Sequence, residues 1–133
     1  MRGFIPYSNE DGRVAPWEYL PCGAITPKLG MALVFSSGNL TVAAGTNKPT
    51  HISMCEKSAA VSAGTVIPVI KVQPDQVFEC TCSASLSGVS VGQKVTLHAS
   101  NGCQITGTTS SGVATIVAKD GDAAGSRVLV RFD

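Results

Sequence analysis

A short punctuation mark recurs along this chain: a pair of small or apolar residues, then Gly, with a run of β-forming residues soon after. It is written Ala43-Ala44-Gly45-Thr46, Ser62-Ala63-Gly64-Thr65, Ser90-Val91-Gly92-Gln93 and Ala123-Ala124-Gly125-Ser126. Gly reaches positive φ without a Cβ clash, so each mark reads as a tight turn feeding a strand. Val66 to Val72 follows Gly64, Val95 to His98 follows Gly92, and Val128 to Phe132 follows Gly125. The gaps between these glycines are unequal, so the mark reads as a recurring turn and not as a solenoid period. A chain punctuated this way is made of short strands.

The remaining patterns agree. Met31-Ala32-Leu33-Val34-Phe35 and Asn39-Leu40-Thr41-Val42 flank Ser36-Ser37-Gly38, a hairpin signal. Thr50 to Cys55 alternates, which predicts Ile52 and Met54 inside and His51 and Ser53 outside. Pro68 within Val66 to Val72 predicts an edge strand or a bulge. Val77 to Cys82 alternates again, and places Cys80 and Cys82 on one face. Val95 to His98 meets Cys103 to Thr106 across Asn101-Gly102. Val113 to Ala118 and Ser126 to Phe132 close the chain around the turn Lys119 to Gly125. No long stretch has helical periodicity; a short turn of helix fits only around Ser58 to Ala63. The expected fold is all-β, a small barrel or sandwich of about eight or nine short strands with an extended N-terminal arm.

The arm is residues 1–27, and the compact β domain is residues 28–133. The arm holds Pro6, Pro16, Pro21 and Pro27 together with Phe4, Tyr7, Trp17 and Tyr19. Proline lacks a backbone donor and fixes φ, so neither a long helix nor a central strand runs through this segment. Its aromatic rings either fold back onto the domain or dock on a partner.

Candidate chemistry is sparse. A chain of 133 residues is one domain, and only 14% of it is charged, which leaves a surface suited to docking on another protein. A net charge of +1 gives no electrostatic grip on nucleic acid or an anionic membrane. No apolar run is long enough for a membrane helix or a signal peptide, so the expected compartment is cytoplasm-like. Cys22, Cys55, Cys80, Cys82 and Cys103 lack zinc spacing and read as small core residues. His51 and His98 read as solvated strand residues. The carboxylates, Glu10 and Asp11 among them, are scattered, and Asp120-Gly121-Asp122 reads as a turn rather than a calcium loop. Phosphate-loop, nucleophile-elbow and His-Glu-x-x-His motifs are absent, and no cofactor, metal or catalytic residue is expected.

Several stretches together resemble small head proteins of tailed bacteriophages. They are Val91-Gly92-Gln93-Lys94-Val95-Thr96-Leu97, Gly112 to Val117, Asp120-Gly121 and Gly125 to Phe132, with Leu40-Thr41-Val42, Ala44-Gly45-Thr46 and Lys48 to Ile52 adding to the likeness. The chain is similar to capsid decoration proteins, over the last hundred or so residues. The resemblance implies a β-rich, non-enzymatic virion protein that binds and stabilises the outside of a phage capsid. It implies the major capsid protein as partner, self-association as a homotrimer, and assembly in the bacterial host cytoplasm. Phe4, Tyr7, Trp17 and Tyr19 are the expected arm anchors. A glycan-binding β module, with Trp17 and Tyr19 as a platform, is the alternative. A small enzyme or accessory domain is the third reading; it requires His51 or His98 within hydrogen-bonding reach of a carboxylate in a pocket.

Overall fold

The structure, a computed structural model, describes residues 2–9 and 12–133. All the regular structure described is β: β1 (Ile5–Ser8), β2 (Trp17–Pro21), β3 (Ala32–Ser36), β4 (Asn39–Val42), β5 (His51–Ser53), β6 (Val66–Lys71), β7 (Val77–Cys82), β8 (Lys94–Val95), β9 (Gln104–Ile105), β10 (Ala114–Lys119) and β11 (Arg127–Arg131). These form two sheets that pack as a small β sandwich. One sheet has five strands in the order β2-β6-β5-β3-β4, and the other has six, in the order β1-β7-β11-β10-β8 with β9 on β7. Residues 58–63 form bends and a turn rather than helix.

Turns of one kind set the registers. In Lys28-Leu29-Gly30-Met31, Ser62-Ala63-Gly64-Thr65, Ser90-Val91-Gly92-Gln93 and Ala123-Ala124-Gly125-Ser126, the fourth N–H donates to the first carbonyl. The third residue is Gly with φ of 83°, 89°, 95° and 89° in turn, the signature of a type II turn. Each turn also clasps one residue of a neighbouring segment. The glycine N–H donates to that residue's carbonyl, and the residue after Gly accepts from its N–H. The clasped residues are Ser53, Cys22, Ile116 and Cys82 respectively. A strand then starts directly: β3, β6, β8 and β11. Gly45, expected in this set, builds something else. Its turn bond runs from Asn47 N–H to the Ala44 carbonyl, so the glycine sits one place earlier. Gly30 takes its place.

The four clasps lie two to a sheet, and they expose an internal duplication. Residues 17–72 and 77–133 have the same topology: β2-β6-β5-β3 corresponds to β7-β11-β10-β8. The registers match pair by pair. Trp17↔Ile70, Tyr19↔Pro68 and Leu20↔Ile67 correspond to Val77↔Arg131, Glu79↔Leu129 and Cys80↔Val128. Ser53↔Val69 corresponds to Ile116↔Val130, and Leu33↔His51 to Val95↔Ala114. Each half also curls back on itself through a parallel contact, Cys22↔Leu40 in the first and Cys82↔Ile105 in the second. Five equivalent side-chain pairs fill the two interiors: Cys22/Cys82, Leu33/Val95, Leu40/Ile105, Ile67/Val128 and Val69/Val130, all buried. Such exchanges change volume by little more than a methylene, which cores tolerate.

The halves use their outer faces differently. Ala32, Ile52 and Ile70 lie in cross-strand register on the first sheet and pack into the cluster that fills the second half. Their equivalents are Lys94, Thr115 and Arg131. There, Asp133 accepts from the Thr115 hydroxyl at 2.6 Å, from Lys94 Nζ through its backbone carbonyl, and pairs with Arg131.

The N-terminal segment joins both sheets. β1 pairs antiparallel with β7 and β2 with β6, so β2 belongs to the first half although it lies before the boundary expected at residue 27. Phe4 is fully buried, edge-on to Phe132 at 5.1 Å, and Phe132 contacts Phe78 at 5.6 Å. Phe4 therefore folds back into the core and leaves the set of docking anchors.

Two strand expectations change. β5 is buried on both faces, because Ile52 faces the second half while His51 and Ser53 face the interior of their own. A strand covered twice cannot show an exposed face. Pro68 lies in β6, which pairs on both sides rather than at an edge. Its carbonyl accepts from Met54 N–H, one residue past the end of β5. The proline nitrogen faces the same way, where the ladder has already ended, so no donor is missed. Other readings hold: β3 and β4 close a two-residue hairpin at Ser37-Gly38, both at positive φ, and Cys80 and Cys82 share the buried face of β7.

The clasps and the aromatic lock give two measurable outcomes. Ala at Gly92 meets open space but a φ of 95°, so Gly92→Ala should cost about 1–2 kcal/mol in urea unfolding. Gly30→Ala should cost more, because its Cβ would also press on Phe4 N at 2.7 Å. Phe4→Ala should cost about 3–5 kcal/mol, with the β1 amides losing hydrogen-exchange protection first.

Candidate functional site

Three exposed aromatic residues lie on β1 and β2, while a fourth, the half-exposed Phe35, packs against His51 instead. β2 runs Trp17-Glu18-Tyr19 with Trp17 and Tyr19 on the outward face, 56% and 66% exposed. Across from them on β6 lie Pro68 and the exposed Val66. Tyr7 on β1 is 61% exposed. Tyr7, Val14, Ala15, Trp17, Met54 and Ile70 are among the residues that line a groove of about 470 Å³. Gln76 also lines it; this side chain is buried, and its Oε1 has no hydrogen-bond partner among the described residues. Of the four expected anchors, the structure brings Tyr7 and Trp17 to one groove, sets Tyr19 beside Trp17 on β2, and removes Phe4 to the core.

The duplication serves as an internal control. Residues needed to build a half recur in both halves. The outward positions do not: Tyr19 and Val66 correspond to Glu79 and Arg127. Those two form a surface ion pair at 3.6 Å, and Arg127 also meets Asp120 at 3.5 Å. The second half thus carries solvated charges where the first carries an aromatic ring and Val. The apolar surface is therefore not a requirement of the fold. The duplication is not visible in residue identities, so the sequence signal for this surface is the density of aromatic residues in the first 27 positions.

Both histidines have structural surroundings rather than catalytic partners. His51 is buried, not solvated as expected: Thr50 Oγ1 lies 2.9 Å from Nδ1, and the Phe35 ring meets it edge-on at 5.4 Å. Glu18 Oε1 lies 3.8 Å from Nε2, beyond hydrogen-bonding reach. Burial lowers the His51 pKa from its usual 6.5; Glu18 opposes the shift and Lys71 adds to it. His98 Nδ1 accepts from the Ser100 and Asn101 amides and so holds a turn. Asp122 is held by Lys119 at 2.7 Å. Glu10 and Asp11 lie outside the described residues. No group of three or more metal-ligating side chains occurs among the described residues. The cysteines are unbridged, with Cys22, Cys80, Cys82 and Cys103 buried. Desolvation pushes the Cys103 thiol up to about 11 and raises Cys22 and Cys80 as well. Such thiols behave as small apolar fillers rather than nucleophiles.

The lowered His51 pKa makes a signed prediction. The unfolded chain takes up this proton at higher pH than the folded chain, so the fold keeps its full stability above about pH 6.5 and loses part of it as pH falls below. Melting temperatures at pH 7.5 and 5.5 should therefore differ more for the wild type than for His51→Gln.

No protein-family model matches the chain, and no curated protein matches it.

Proposed function

We propose that this chain is a non-enzymatic structural protein of a virion that binds the outside of a phage capsid and stabilises it. The observation that carries the docking part is the pair of exposed rings on β2: Trp17 stands where the duplicate half has Val77, and Tyr19 where it has Glu79 in an ion pair. Aromatic side chains with apolar neighbours anchor protein interfaces. The virion setting rests on the resemblance to capsid decoration proteins. On this reading the partner is the major capsid protein, and the chain self-associates as a homotrimer. Binding only the assembled shell stabilises that state by mass action.

β2 also gives the glycan reading its platform, since Trp17 and Tyr19 share a strand face. Sugar hydroxyls need polar neighbours as well, and the cross-strand neighbours on this face are Val66, Pro68 and Ile70. A protein surface suits them better.

The test uses point substitutions, because a truncation through residue 20 would remove Phe4, β1 and most of β2. Trp17→Ser with Tyr19→Ser should leave the fold intact and weaken co-sedimentation with phage shells at least about tenfold, by the scale of interface hot spots. It should also abolish the rise in shell melting temperature that the wild type confers. Binding unchanged by the double substitution overturns the proposal, as does a wild-type chain that binds no shell. Sedimentation velocity on the free chain checks the trimer.

A further inference from the structure

The edge of β2 is open where the edge of β7 is filled. In an antiparallel ladder, residues alternate between pairs that exchange two hydrogen bonds and pairs that exchange none. The Pro68 carbonyl points to Met54, away from β2. The Tyr19↔Pro68 pair is therefore of the second kind, and the N–H and C=O groups of Trp17 and Tyr19 point outward. β2 has one strand partner, β6, and no backbone bond to Trp17 or Tyr19 forms on the outer side among the described residues. In the second half the equivalent residues are Val77 and Glu79. Both are covered by β1, through Ser8↔Val77 and Ile5↔Glu79.

We propose that the β2 edge accepts an extended segment of the partner protein as an added antiparallel strand, pairing with Trp17 and Tyr19 as β1 pairs with Val77 and Glu79. This rests on the reading that the chain docks on a protein surface, and it specifies the mode. The filled site shows what suits such an edge: Ile5-Pro6-Tyr7-Ser8, an uncharged, proline-containing stretch with an apolar first residue. The chain's own β1 is not free to serve, because it is paired with β7 and Phe4 is locked under Phe132. A second copy's β2 is a poor occupant: antiparallel pairing centred on Glu18 would set two carboxylates opposite each other. Pro16 and Pro21 bracket the open stretch, so the added strand is short. Strand addition takes affinity from main-chain bonds and selectivity from side chains beside the edge; here Trp17 and Tyr19 supply the latter.

Two measurements on the intact chain decide it. In the free protein, the Trp17 and Tyr19 amides should exchange on the order of 100-fold faster than those of Val77 and Glu79. Titration with a peptide of residues 3–9, Gly-Phe-Ile-Pro-Tyr-Ser-Asn, should give saturable amide shifts confined to residues 17–20. The shifts should persist in Tyr19→Ala and vanish in Tyr19→Pro, which removes the outward donor without touching the β2–β6 bonds. Equal protection of Tyr19 and Glu79 overturns the proposal. So does a peptide that shifts nothing, or shifts residues elsewhere. If Tyr19→Pro fails to fold, the wild-type shift map still decides. Shell binding without peptide binding sinks strand addition and leaves the proposed function standing; peptide binding without shell binding does the reverse.

Discussion

The architecture depends on a reciprocal pair of hydrogen bonds made at the start of four strands. A glycine N–H and the carbonyl one residue later close on both backbone groups of a single neighbouring residue. A one-residue slip would present the wrong group to each partner and turn every following side chain to the other face. The clasp thus fixes register before the strand begins. That matters for strands as short as β8, which has two residues and little ladder of its own to set its register. Glycine is required because the turn needs positive φ at its third position.

Repeating one plan twice separates what the fold demands from what it permits. The clasps, the parallel closure at Cys22 and Cys82, and five interior side chains recur. The outer face of β2 and the covering of its edge do not. Both differences fall on the same short strand, and both leave it more adhesive than its counterpart. Exposed strand edges invite association and are commonly blunted by charge or proline. Here Glu18, Pro16 and Pro21 restrict the edge but do not close it.

Much of this was legible in the residues. The Ser37-Gly38 hairpin and the alternation of β7 needed only local rules, because one face of each element is buried and the other is not. The strand class of the chain followed from glycine and β-branched residues. Three of the four clasps were visible as Gly64, Gly92 and Gly125. Gly30 is hidden, since Lys28 and Leu29 disguise the turn; Gly45 resembles the set only because its neighbours are small. The clasp is defined by hydrogen-bond offsets, and composition reports those only indirectly. The duplication was hidden for a related reason: Leu33 and Val95, or Leu40 and Ile105, conserve burial and not identity. β5 misled because a strand buried on both faces can still alternate in polarity when its polar groups find partners, as Ser53 does at Cys55. The four arm aromatics could not be sorted without coordinates, because a ring that locks a core and a ring that docks look alike in a sequence.

The polar face of Lys94, Thr115 and Arg131 has a further consequence. In the first half the same positions are Ala32, Ile52 and Ile70, and they are covered by the second half. If the second half repeated that apolar face, it would offer the next unit the same contact, and units could stack head to tail without end, as open heterologous contacts do. Asp133 and its three partners remove that invitation. The second half therefore does not present again the apolar face by which the first half stacks on it, and repetition of that one contact is disfavoured.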